Sequence, residues 1–231
     1  MENEEKTYQS ALTRREAAAV LAFIPIQYLL LPCVLARFIL SGALSETRAN
    51  FVLYAVGVVY MLVFAMDFLR RDFYTLCDRP ARTGLQVLLS YGIMLVCNTL
   101  VGLILVALGF EENPNNAAVG ELTKAASGTM TAMAVFLAPI VEEIIFRGGI
   151  FGLLRRHSRL WAYVGSILIF SLYHVWSYAL YDWKNLIFII QYIPASWLLC
   201  RCYEKTESIW TPILLHMLIN GISMQVMGML A

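Results

Sequence analysis

The chain has 231 residues, of which 60% are hydrophobic and 14% charged, with a formal net charge of +1, against roughly 45–50% and about 25% in soluble domains. So apolar a composition excludes an ordinary soluble domain and a disordered chain, and near-neutrality leaves no case for a nucleic-acid partner. The solvent it fits is a bilayer, whose hydrocarbon core takes roughly 20 apolar residues per helix.

Charge-free runs mark the expected spans in chain order: 17–36, 51–66, 85–110, 125–141, 160–181, 185–200 and 208–231. The fold class is therefore all-α, a polytopic transmembrane helix bundle of about seven spans. The second, fourth and sixth runs are short and must extend over flanking turns that hold one or two charges. The first run is longer than a signal-peptide core and has no small-residue cleavage pattern, so that span is expected to be retained. Lys and Arg concentrate on cytoplasmic loops. With the N-terminus inside, Lys6, Arg14, Arg15, Arg70, Arg71, Arg79, Arg82, Arg147, Arg155, Arg156, Arg159, Arg201 and Lys205 fall on the inner side, and Arg37, Arg48, Lys124 and Lys184 outside. The segment 111–124 then reads as an outer loop. The composition suits a bacterial plasma membrane. Five cysteines, an odd number without a CxxC pair, are expected to pack rather than form a disulfide framework.

The fourth span carries Glu142, Glu143 and Arg147 among apolar neighbours. Lipid-facing charges cost several kcal/mol, about 2.5–3.5 for an Arg at a helix centre, so these need internal partners. Glu143 and Arg147 are four apart, acid before base, and can pair directly. That leaves Glu142, about 100° around the helix, as a candidate general base. The fifth span offers Phe170 and His174, and the seventh His216 and Asn220, each pair on one helix face. Two carboxylates, two imidazoles, an amide and a guanidinium could meet in one cavity. At about 1.5 Å per residue, Glu142 and His216 fall toward the inner half, while a fifth helix starting at Leu160 carries His174 into the outer half. For them to meet, that helix must start near Val164 or tilt. His157 lies in a basic loop and is expected to be solvated. The GxxxG of Gly148 and Gly152 is expected to serve close helix packing.

Glu142-Glu143-xxx-Arg147, then Phe170-xxx-His174, then His216-xxx-Asn220 resembles the CAAX protease and bacteriocin-processing (CPBP, or Abi) family of intramembrane proteases. The resemblance covers roughly residues 128–227, giving a division into N-terminal transmembrane helices, 1–127, and a catalytic membrane core, 128–231, within one integral membrane domain. It implies an intramembrane endopeptidase in which Glu142 and His174 activate water and His216 and Asn220 bind the oxyanion. Glu143, Arg147 and Phe170 would support the site. The substrate would be a peptide or a lipidated protein in contact with membrane lipid: a prenylated C-terminal tetrapeptide, a leader peptide or a membrane-protein segment. Two rival classes are a proton-coupled transporter using Glu142, His174 and His216 as a relay, and a noncatalytic scaffold of a peptide-export or sensor system. Glu142, His174 and His216 could also be read as a zinc triad. The lack of HExxH spacing and the nearby Arg147 favour a mechanism without metal or other cofactor.

Overall fold

The computed structural model describes residues 10–110, 112–125 and 127–230. Lys6, the rest of the polar N-terminus to residue 9, Glu111 of the expected outer loop and Ala231 lie outside them. Among the described residues the structure is all-helical, with nine helices: α1 Arg14–Leu40, α2 Glu46–Phe64, α3 Met66–Asp78, α4 Pro80–Ala107, α5 Pro114–Ala125, α6 Gly128–Arg155, α7 Arg159–Ala179, α8 Trp183–Thr206 and α9 Trp210–Leu230. Six of these, α1, α2, α4, α6, α7 and α8, are long and apolar enough to cross a membrane. The seventh expected span is α9, 21 residues without a charged side chain.

Helix α6 is the hub. Its apolar window is 61% buried, against 17% for α1 and α4, and α1, α2, α7, α8 and α9 all pack against it. The outer helices α1 and α4 turn apolar side chains outward, among them Leu29, Phe38, Leu88 and Val106, as a bilayer requires. α6 is not short. It runs through Glu142, Glu143 and Arg147 as far as Arg155, because those side chains find partners inside the bundle. Gly148 belongs to this packing, as expected: a Cβ there would lie 3.3 Å from the Phe68 ring of α3.

Two prolines shape the cavity walls. Pro32 and Pro139 have no N–H to give to the preceding turn, and just before each the helix widens into a π-turn, at Ile26–Leu30 and at Ala132–Leu137. Such turns release backbone carbonyls and re-aim side chains.

The segment expected as an outer loop contains a helix, α5. Asn113 accepts from the backbone N–H of Asn115 at 3.0 Å, and Pro114 begins the first turn; this cap-then-proline signature was present in the sequence. A second unforeseen helix, α3, buries Phe68, Leu69 and Asp72. Its start is held by the capping box of α1, since Glu16 accepts from Thr13 N at 2.7 Å and also from Phe68 N at 3.1 Å. Most of the basic residues assigned to one side do gather at one end of the bundle. Arg155 and Arg159 meet Glu204, Arg82 donates to the carbonyl of Lys205, and Arg156 to that of Leu12. His157 is exposed there. The five cysteines are free; Cys200 and Cys202 pack in the interior, whereas Cys33 and Cys77 are exposed.

At that end Asp72 is buried, accepting from Ser10 Oγ and from the backbone N–H of Ile209 at 2.7 Å. Burial pushes its carboxyl up to about 6. A folded-state value above the unfolded one means that ionisation is disfavoured in the fold, so this contribution is full below about pH 4 and is lost as pH rises to about 6. Relative to Asp72→Asn, the wild-type protein should lose about 3 kcal/mol of stability across that window. Thermal unfolding at pH 4, 5, 6 and 7 measures it, and parallel curves for the two proteins would refute it.

Candidate active site

The three motifs converge on one cavity of about 560 Å³, whose lining includes Glu142, Phe170, His174, His216 and Asn220. Helices α6 and α7 form a tight antiparallel hairpin. Glu142 lies 13 residues before Arg155, and His174 lies 15 after Arg159, or about 20 and 22 Å from the shared turn at roughly 1.5 Å per residue. The two residues therefore reach the same depth. The expected late start of α7 near Val164 does not occur; the helix begins at Arg159, capped by Ser158. The depth mismatch arose from ending the fourth span at Val141.

Behind the cavity is a buried polar cluster. Arg147 Nη1 lies 3.0 Å from Glu143 Oε1, as the spacing predicted, and both side chains are fully buried. Arg147 also donates to Ser196 Oγ at 2.9 Å and sits 4.3 Å over the Phe170 ring. The same Glu143 oxygen meets His216 Nδ1 at 2.7 Å. Glu143 thus anchors both the guanidinium and the imidazole, and the His216 ring turns Nε2 to within 3.8 Å of Glu142 Oε2. Separated by a gap that a hydrogen bond does not close, these two atoms frame a place for a reacting group.

His174 is oriented differently. Its Nδ1 lies 2.9 Å from the carbonyl oxygen of Phe170, which can only accept, so Nδ1 carries the proton and neutral His174 keeps its lone pair on Nε2. The ring stacks on Tyr192, with centroids 4.5 Å apart. Asn220 donates from Nδ2 to the carbonyl of Ala134 at 2.8 Å. That carbonyl is five residues before Pro139, inside the π-turn, so the proline that widens α6 also creates the acceptor that holds Asn220. One amide hydrogen stays available.

Two tyrosines that the sequence does not single out also meet Glu142 or its partner. Tyr54 of α2 donates to Glu142 Oε1 at 2.8 Å, and its hydroxyl is 2.8 Å from that of Tyr173. Tyr54 reaches Glu142 because Gly57, one turn on, lets α2 press against α6; a Cβ there would lie 2.9 Å from Val141 Cγ2. No spacing rule singles out Tyr54 in an apolar run, whereas an intramembrane Gln27 or Asn98, both in the cavity wall, is a polar exception visible in the sequence. Among the described residues no group of three His, Cys, Asp and Glu side chains is arranged to hold a metal ion.

Fold and site together define a class, an integral membrane protein with a carboxylate–imidazole centre inside its helix bundle. Residues 125–222 match the family model described as Type II CAAX prenyl endopeptidase Rce1-like. A Bacillus subtilis (strain 168) protein named "Putative membrane peptidase YdiL" is 31% identical over 111 residues, covering 48% of this chain and 41% of that relative. The match thus spans about two fifths of the relative's length. No solved structure matches the chain. Over this region the chain is thus similar to Rce1-like CAAX prenyl endopeptidases and to a protein named as a membrane peptidase.

Proposed function

We propose that the chain is an intramembrane endopeptidase that hydrolyses a peptide bond with water activated by Glu142. The observation that carries this reading is the 3.8 Å gap between Glu142 Oε2 and His216 Nε2 in the wall of a cavity roomy enough for a peptide. Glu142 Oε1 is held by Tyr54, which leaves Oε2 to take a proton from water. His174, with its lone pair on Nε2, assists as acceptor. Water adds to the carbonyl carbon as its proton passes to Glu142 Oε2; in this reading His216 is doubly protonated, with Nδ1–H given to Glu143, so that the oxyanion meets His216 Nε2–H and the remaining Asn220 hydrogen, fixed donors that gain strength away from bulk water. Glu142 then returns its proton to the departing amine. Glu143 and Arg147 hold the centre, and Phe170 caps the guanidinium.

The proposed mechanism routes no step through a metal, a choice supported by the absence of HExxH spacing and by the Arg147 charge one turn from Glu143. The test compares peptides accumulating in membranes that carry intact protein with those carrying Glu142→Ala, followed by assay of the purified protein after prolonged chelation. Glu142-dependent products and activity that persists with substoichiometric zinc are expected. One tight zinc per chain, with activity lost on its removal and restored on its return, would make the enzyme a metalloprotease instead. We also propose a bacterial plasma membrane with the N-terminus inside and the Arg155–Arg159 end of the bundle facing the cytoplasm, a reading supported by the distribution of Lys and Arg.

A further inference from the structure

The lining of the cavity is neutral apart from its centre. Among the described residues that form it there is no Lys, Arg or Asp, and Glu142 is the one acid. The nearest buried cation, Arg147, is engaged by Glu143 and Ser196 on the far side of the wall. Lys124, outside the cavity, is exposed and paired with Glu121. A free carboxylate entering this space would leave water without a counter-ion and approach Glu142, a like charge, where solvent screening is weak. Uncharged amides, by contrast, are abundant along the wall, including Asn98, Asn115 and Gln191. They offer donors and acceptors in equal measure, which suits the N–H and C=O groups of a peptide backbone.

One of these amides is conspicuously unsatisfied. Gln27, on the π-turn of α1, is fully buried in the cavity wall, and neither its Nε2 nor its Oε1 has a hydrogen-bond partner. Its Oε1 lies against Gly57, one turn from the Tyr54 that holds Glu142. A buried polar group without a partner costs about 1–3 kcal/mol, so this residue weakens the fold where it stands. Its side chain presents a donor and an acceptor side by side, the complement of a peptide unit.

Resting on the protease reading above, we infer that the cavity takes an uncharged stretch from inside a peptide chain, not a free C-terminal carboxylate, and that the Gln27 amide pairs with the backbone of that stretch. The favoured substrates are then leader peptides or membrane-protein segments over C-terminal tetrapeptides. Gln27 is a positioning and selectivity residue, and it does not touch the proton transfer.

The test uses the full chain in lipid nanodiscs and a library of 20-residue peptides, each made with a free-acid and an amidated C-terminus. Mass spectrometry reads new termini, with Glu142→Gln as the blank. Wild-type cuts should fall several residues from any free carboxylate, and amidation should raise cleavage near the C-terminus about tenfold or more. Release of C-terminal tripeptides from the acids as fast as from the amides would overturn the inference while leaving the protease reading intact. No Glu142-dependent cut at all would sink that reading, and the inference with it. Gln27→Leu should raise KM about tenfold with kcat within about twofold, the size of one or two lost hydrogen bonds, and thermal stability should stay level or rise. An unchanged KM, or a variant that fails to fold, would overturn the role given to Gln27.

Discussion

Glu142→Gln in the purified protein is expected to abolish peptide cleavage while leaving insertion, folding and thermal stability intact. The substitution keeps shape and volume, and the Gln oxygen can still accept from the Tyr54 hydroxyl that now reaches Oε1. What it removes is the group that takes a proton from water. General-base catalysis alone is worth about 10²–10⁴-fold, and among the described residues no other acid lines the cavity, so turnover should fall by at least about 10²-fold. His174→Ala should also lower turnover. Asn220→Ala should cost about 10²–10³-fold, as loss of an oxyanion donor does elsewhere. Full activity in Glu142→Gln would end the assignment. Loss of activity accompanied by loss of folded protein would show that Glu142 is there for stability.

Substitution of a single member of the Glu143–Arg147 pair should act the opposite way, on folding first. Both side chains are fully buried. Arg147→Ala strands the Glu143 carboxylate, and Glu143→Gln leaves the guanidinium without its counter-charge; each should lose about 3–5 kcal/mol. The expected readout is a sharply lowered unfolding temperature and poor recovery from membranes. Replacing the pair together, Glu143→Leu with Arg147→Met, should restore much of that stability, since a buried ion pair is often no better than apolar residues of its volume. Activity should not return, because His216 loses its hold on Glu143. Single variants as stable as the wild type would show that the pair is not the organiser described above.

The all-helical class and the intramembrane charges were legible in the sequence because a bilayer penalises each charge it meets. That penalty makes Glu142, Glu143 and Arg147 conspicuous, and helical periodicity puts His174 near Phe170 and Asn220 near His216. Depth was less legible. A charged residue reads as the end of a span unless its partners are known, so α6 seemed to stop at Val141 when it continues to Arg155. The tyrosines were silent because Tyr54 and Tyr173 look like any aromatic residue in an apolar helix until the fold sets their hydroxyls beside Glu142. The short helices α3 and α5 lack the length that marks a span. Only caps and burial reveal them, through Glu16 and Asn113.

The centre also draws on both parts of the chain unequally. The groups proposed to act on water and oxyanion all lie within residues 125–222, whereas Gln27, Tyr28 and Tyr54, which wall the cavity opposite them, come from α1 and α2. On the proposed reading, the groups that act on water and oxyanion come from one stretch of the gene, and Gln27, the proposed selecting residue, from another. On that reading, a mutation at Gln27 reshapes what is admitted without touching the proton transfer, whereas one at Tyr54 reaches the reaction through its hold on Glu142. Such a layout lets one hydrolytic engine be refitted to new clients by drift at its front end, with Gly57 as the fixed coupling between the two.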